Sequence, residues 1–145
     1  MELVIRAIGP LQTNVCLVGD PRTREAIVID GAIPGLPWIV DELTRREWRL
    51  RLIVSTHGHW DHTGENAALQ AWSREQAGPD APGPDAPGAE IAAHRADWHH
   101  LTNPQPLFAP FPIPPCVPAV ELAEGGVIRF GDVRLEVLHT PGHTE

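Results

Sequence analysis

Three histidines and an aspartate fall within six residues, His57-Gly58-His59-Trp60-Asp61-His62. Neutral imidazole nitrogens and a carboxylate oxygen suit zinc or another borderline divalent ion, and a site without thiolate is of the kind that keeps water. Side chains alternate along an extended segment, so His57 and His59 can point the same way and offer two nitrogens to one ion. Asp61 and His62 lie past the bend and can face the same cavity from another angle. A lone histidine before Thr63 would read as the start of a helix. Four ligand-bearing side chains in six positions, directly after an apolar strand, read as a metal-binding loop.

The elements that must hold this loop are legible in outline. Leu50 to Thr56 is a β-rich run that delivers it. Upstream, Leu3–Ile8, Asn14–Val18 and Glu25–Asp30 are short apolar runs closed by Gly9-Pro10, Gly19-Asp20-Pro21 and Gly31, which predicts an antiparallel meander. Leu36, Ile39, Val40 and Leu43 fall at i, i+3, i+4 and i+7 and predict an amphipathic helix, with Asp41, Glu42, Arg45 and Arg46 mostly off that stripe and Pro37 tolerated in its first turn. Thr63 is expected to cap a second helix reaching about Glu75, with Ala68, Leu69 and Trp72 inward. Ile91–Ala93 is a short strand before a polar turn or helix over Arg95–Leu101, and Pro104–Pro118 is loop. Val127–Phe130 and Val133–Leu138 form a hairpin around Gly131-Asp132. A second histidine cluster, His139-Thr140-Pro141-Gly142-His143, follows it. Strands, helix, strand, helix and strands again fit an α/β layered fold with helices outside a mixed sheet. Both clusters fall in loops leaving strand ends, where functional residues concentrate.

Bulk properties narrow the partners. The chain has 145 residues and a formal net charge of -8, so it suits one domain and lacks the clustered cations that non-specific nucleic-acid binding needs. No run approaches the roughly 18 apolar residues of a membrane helix, and Met1–Arg6 carries no secretory pattern, so the expected location is the cytoplasm. There Cys16, in an apolar run, and Cys116, in a Pro-rich loop, are expected to stay reduced. Residues 76–88, where Pro-Asp-Ala-Pro-Gly occurs twice, read as a surface insertion within the single 1–145 domain.

Ser55-Thr56-His57-Gly58-His59-Trp60-Asp61-His62-Thr63-Gly64 resembles the HxHxDH signature of the metallo-β-lactamase superfamily. Val28-Ile29-Asp30-Gly31 resembles the strand-end aspartate of that superfamily, and Leu138-His139-Thr140-Pro141-Gly142-His143-Thr144 its third motif. The three occur in the family's order. The His-Thr-Pro-Gly-His-Thr run is similar to that of the glyoxalase II-like small hydrolases. The resemblance implies an αβ/βα sandwich in which His57, His59 and His143 hold one metal, and Asp61 and His62 contribute to a second. Asp30 would orient the histidine loop through hydrogen bonds. It implies one or two zinc ions, with iron or manganese as alternatives. It also implies hydrolysis of a thioester, or of another small ester, lactone or amide, by metal-bound water whose pKa falls toward about 7. Asp61 would anchor that water or relay its proton. His139 is not a ligand in the resembling motif. His94, His99 and His100 fit no partner pattern; His99-His100, beside Trp98, could approach a cavity but read rather as surface histidines. Trp60 is equally suited to walling a pocket or to ordinary packing.

The family supplies a metal-bridging carboxylate and a last histidine beyond the third motif, and this chain has no counterpart to either. Two expectations follow: an N-terminal portion of a longer enzyme, truncated after the third motif, or a short protein with a reduced site. Uncovered apolar strand surface, an exposed edge, poor solubility and weak activity are expected of the 145 residues alone. Rival functions are a mononuclear iron persulfide dioxygenase on the same loop and a non-catalytic metal-binding module. A nuclease is disfavoured by the acidic balance. The partner is expected to be a small-molecule substrate, with neither nucleic acid nor membrane.

Overall fold

In the computed structural model, residues 1–76 and 88–144 are described. The repeat-bearing insertion at 76–88 therefore lies almost wholly outside the described residues, as does Glu145.

Strands β1 (Glu2–Ile8), β2 (Thr13–Gly19) and β3 (Glu25–Ile29) form the expected antiparallel meander. From β3 the sheet turns parallel, through β4 (Arg49–Val54), β5 (Glu90–His94) and β6 (Val120–Leu122), in the order β1-β2-β3-β4-β5-β6. The central strands are apolar on both faces because both are covered. Helices α1 (Leu36–Arg45), α3 (Asn66–Glu75) and α4 (Trp98–Thr102) pack on one side, where Ile39, Leu43, Leu69 and Leu101 meet Val15, Leu17, Val28, Ile53 and Ile91. The hairpin of β7 (Val127–Phe130) and β8 (Val133–Glu136) covers the other, where Phe130 and Val133 meet Val18, Ile27, Val54 and Ala92. Ala26 pairs with Leu50 but Ile27 with Leu52. Arg51 is thus an extra residue in β4, a bulge that resets which side chains face each layer.

The hairpin is anchored at its turn. Gly131 takes the left-handed conformation that a tight turn asks for (φ 51°). Asp132 N donates to Asp20 Oδ2 at 2.6 Å, Gly131 N donates to Glu25 Oε2 at 2.5 Å, and Arg22 pairs with Asp132. Beyond the hairpin's reach, Leu3 and Ile5 of edge strand β1 share the face of Val18 and stay exposed, at 56% and 53%. Among the described residues no helix is long and apolar enough to cross a membrane.

Three local expectations are corrected. The helix expected over Thr63–Glu75 is two helices, α2 (Trp60–Thr63) and α3, and Thr63 ends the first rather than capping the second. The break arises because Glu65 N donates out of the helical ladder to Gly31 O at 2.9 Å, while the Glu65 side chain reaches the Leu36 N–H that opens α1 at 2.6 Å. Glu42 is buried on the inner side of α1 instead of lying with the exposed charges, held by Arg45 and Arg46. β6, with three residues, was not anticipated. Cys16 is half-buried and Cys116, though in a loop, is buried; both are free thiols.

Candidate metal centre

The site gathers at the carboxyl ends of the parallel strands, where open α/β sheets place ligands. Ile29 of β3 pairs with Val54 of β4, so the residues that follow, Asp30 and Ser55, emerge side by side. Asp30 N donates to Val54 O at 2.8 Å, and a positive φ of 60° turns its side chain back across the end of β4. Aspartate is among the few residues that take this conformation readily. The buried carboxylate then accepts from Thr56 N (2.8 Å) at Oδ1, and from Thr56 Oγ1 (2.8 Å) and His62 Nδ1 (2.9 Å) at Oδ2. It binds both ends of the histidine loop at once.

These bonds set the tautomer of His57. The Thr56 hydroxyl has one hydrogen, which goes to Asp30, so toward His57 Nδ1 at 3.1 Å it acts as acceptor. Nδ1 therefore carries the ring proton, and Nε2 is left with a lone pair. Nε2 is buried without a hydrogen-bond partner among the described residues. Burial, followed by the neighbouring charges of His62 and His59, lowers the His57 pKa to about 4, so the ring is neutral at pH 7. A buried, unpartnered, unprotonated nitrogen is an arrangement that a cation resolves.

The ligand atoms of His57, His59 and His143 lie within 4.8 Å of one another. The ring centroids are 4.8 Å apart for His57–His59 and 4.7 Å for each pair with His143, all edge-on. His59 is depressed as well, by burial and then His143. Three convergent nitrogens without thiolate fit a zinc-like ion that keeps a position for water. Asp61 and His62 are consecutive on α2, and His62 lies 4.1 Å from the His57 ring. His62 Nε2 is 3.3 Å from Asp61 Oδ2. Burial acts to lower the His62 pKa, but the hydrogen bond and charge of Asp30 and the charge of Asp61 outweigh it and raise it. Asp61 is itself held, since Thr13 Oγ1 donates to Asp61 Oδ2 at 2.7 Å.

All six residues singled out in the sequence thus meet here, with His57, His59 and His143 in one cluster, Asp61 and His62 beside it, and Asp30 beneath. Thr13 and Thr56 were missed; no spacing rule joins positions 13 and 61. Two histidines that fit no pattern in the sequence find neighbours here. His100 packs against Gly58, where any side chain would collide with its Cβ. His94 stacks on His139, with centroids 4.3 Å apart and planes at 8°. Trp60 donates from Nε1 to Leu107 O at 3.2 Å, tying the Pro-rich loop to α2.

The chain has relatives among known proteins. The chain is 33% identical over 144 residues to an uncharacterized protein of Aquifex aeolicus, covering 99% of this chain and 62% of that one. It is 31% identical over 144 residues to a hydroxyacylglutathione hydrolase of Maricaulis maris, covering 99% of this chain and 44% of that one. The chain therefore spans about half the length of the curated relatives it matches. Among solved structures, the BLEG-1 B3 metallo-beta-lactamase superposes with a TM-score of 0.76 at 24% identity, over 99% of this chain and 63% of that one. This likeness establishes the α/β sandwich fold. The family model described as Metallo-beta-lactamase superfamily matches residues 8–145, and the chain belongs to that superfamily.

Proposed function

We propose that the chain is a metal-dependent hydrolase of a small thioester, or of a related ester, lactone or amide, similar to the hydroxyacylglutathione hydrolases. The observation that carries this reading is the convergence of His57, His59 and His143 around the unpartnered Nε2 of His57. These three residues would hold a zinc ion, and Asp61 and His62 would face a second. Iron or manganese fit the same donors less specifically. Such an ion, when bound, supplies Lewis acidity and brings the pKa of water toward about 7.

The chain's own residues do the rest. Asp30 and Thr56 fix the His57 tautomer so that Nε2 faces the site. Asp61, held by Thr13, orients the attacking water and accepts its proton at the carboxylate. His59 and His143 are exposed, so the cluster opens to solvent and a small substrate can reach it.

The test is hydrolysis of S-lactoylglutathione by the zinc-loaded chain, followed as loss of thioester absorbance. The expected result is turnover that His57→Ala and Asp61→Ala each reduce at least about a hundredfold. Oxygen consumption with glutathione persulfide on an iron-loaded chain, without thioester hydrolysis, would assign the persulfide dioxygenase chemistry instead. Tight metal retention with neither turnover, in a full-length protein as well as in this chain, would make it a metal-binding module.

A further inference from the structure

His143 is the ligand farthest in sequence from the other two, and its loop has little support of its own. His139 to His143 are exposed, and a side chain at Gly142 would meet nothing within 4 Å. Gly142 has a φ of 132°, and Gly142 N bonds within the loop to Thr144 O at 3.0 Å. The turn that leaves β5 touches the loop at both ends. At the start His139 stacks on His94, while its N–H donates to the Glu124 carboxylate. At the end Thr144 Oγ1 donates to Asp97 Oδ2 at 3.0 Å.

Asp97 is 2% exposed, and its other oxygen, Oδ1, is buried with no partner among the described residues. A buried, incompletely satisfied carboxylate works against folding unless its position serves something else. Its surroundings fix it firmly. His94 Nδ1 accepts from Ala96 N at 3.3 Å, Trp98 Nε1 donates to Ala93 O at 3.1 Å, and Arg95 lies over the Trp98 ring at 4.1 Å. The Asp97 carbonyl also abuts Gly58, 3.2 Å from where a Cβ would stand between His57 and His59.

We infer that Asp97 is the positioning residue for His143, joining the third ligand to the His57–His59 loop through Thr144 as Asp30 does for His57 and His62. The inference rests on the reading that His57, His59 and His143 hold a metal. Asp97 touches neither ion nor substrate; it sets where His143 Nδ1 or Nε2 can stand relative to the other two rings. Loss of such a supporting hydrogen bond weakens metal affinity by about 10- to 100-fold.

The test is cobalt(II) binding to the whole chain, read from the ligand-field absorption of the bound ion and from competition with a chelator. It compares wild type, His143→Ala, Asp97→Asn, Thr144→Val and Thr144→Ser. Thr144→Val removes one hydroxyl from a partly exposed residue, so it stands even if Asp97→Asn proves unstable. Affinity is expected to fall at least tenfold in Asp97→Asn and Thr144→Val, with an altered spectrum. Thr144→Ser, which keeps the hydroxyl, should restore both. If Thr144→Val matches wild type in affinity and spectrum while His143→Ala is impaired, Asp97 has no such role and the metal reading survives. If wild type itself binds no cobalt, or His143→Ala binds as wild type does, the metal reading and this assignment fall together.

Discussion

Replacing Asp30 by Asn tests how the histidine loop is held. Asparagine has the same shape and tolerates the positive φ of 60° found there, so the change is in charge and acceptor count alone. The carboxylate accepts three hydrogen bonds, one at Oδ1 and two at Oδ2. An amide has one accepting oxygen. Its least damaging placement keeps that oxygen for Thr56 Oγ1 and His62 Nδ1 and turns its NH₂ toward the Thr56 N–H, which is left without an acceptor. A hydrogen bond to a charged group contributes about 1.5–3 kcal/mol and a neutral one about 1. Losing one and weakening two should cost about 2–4 kcal/mol, a large part of the roughly 5–15 kcal/mol that stabilises a domain. Urea unfolding of the metal-free chain measures this directly. Zinc affinity, by competition with a chelator, should fall about 10- to 100-fold as the backbone of the histidine loop loses its anchor at Thr56 N and the bond to His62 weakens. If Asp30→Asn shifts stability by less than about 0.5 kcal/mol and leaves zinc affinity unchanged, Asp30 is not the support described.

Other expectations follow from neighbouring contacts. Thr13→Val removes the bond at 2.7 Å to Asp61; it should cost about 1 kcal/mol and weaken binding of a second zinc ion more than the first, as isothermal titration would show. Asp20 has its pKa lowered to about 2, chiefly by the Asp132 N–H against the effect of burial, with help from Arg22 and Thr23. A depressed carboxylate contributes stability above its ordinary pKa of about 3.9 and loses it as pH falls through the lower value. Asp20→Asn should therefore be less stable than wild type in urea at pH 7, and the difference should close toward pH 2. An undiminished difference at pH 2 would contradict this. Burial pushes the Cys116 thiol up to about 11, so a disulfide reagent at pH 8 should label it only after unfolding, and mass spectrometry of the folded chain should find it unmodified.

The sequence disclosed what is local. β-branched runs with Gly and Pro punctuation located the meander, and the i, i+3, i+4, i+7 stripe located α1. The site was unusually legible because five of the six residues lie in two short motifs and the sixth ends a recognisable strand. What escaped depends on contacts between distant positions. The break at Gly64-Glu65 exists because Glu65 bonds to Gly31 and Leu36, which no helical periodicity reveals. The same holds for Thr13 on Asp61, for His94 on His139 and for Asp97 on Thr144, each separated by more than forty residues. β6 is too short to show an alternation of its own and forms because β5 offers it a parallel edge.

The proposed metal centre is made of imidazoles, which X-ray absorption at the zinc edge reads out on the 145-residue chain loaded with one equivalent of zinc. Nitrogen and oxygen scatterers are expected at about 2.0–2.1 Å with the outer-shell pattern of about three imidazole rings, diminished by His143→Ala. Sulfur at about 2.3 Å, or a spectrum unchanged in His57→Ala and His143→Ala, would contradict it.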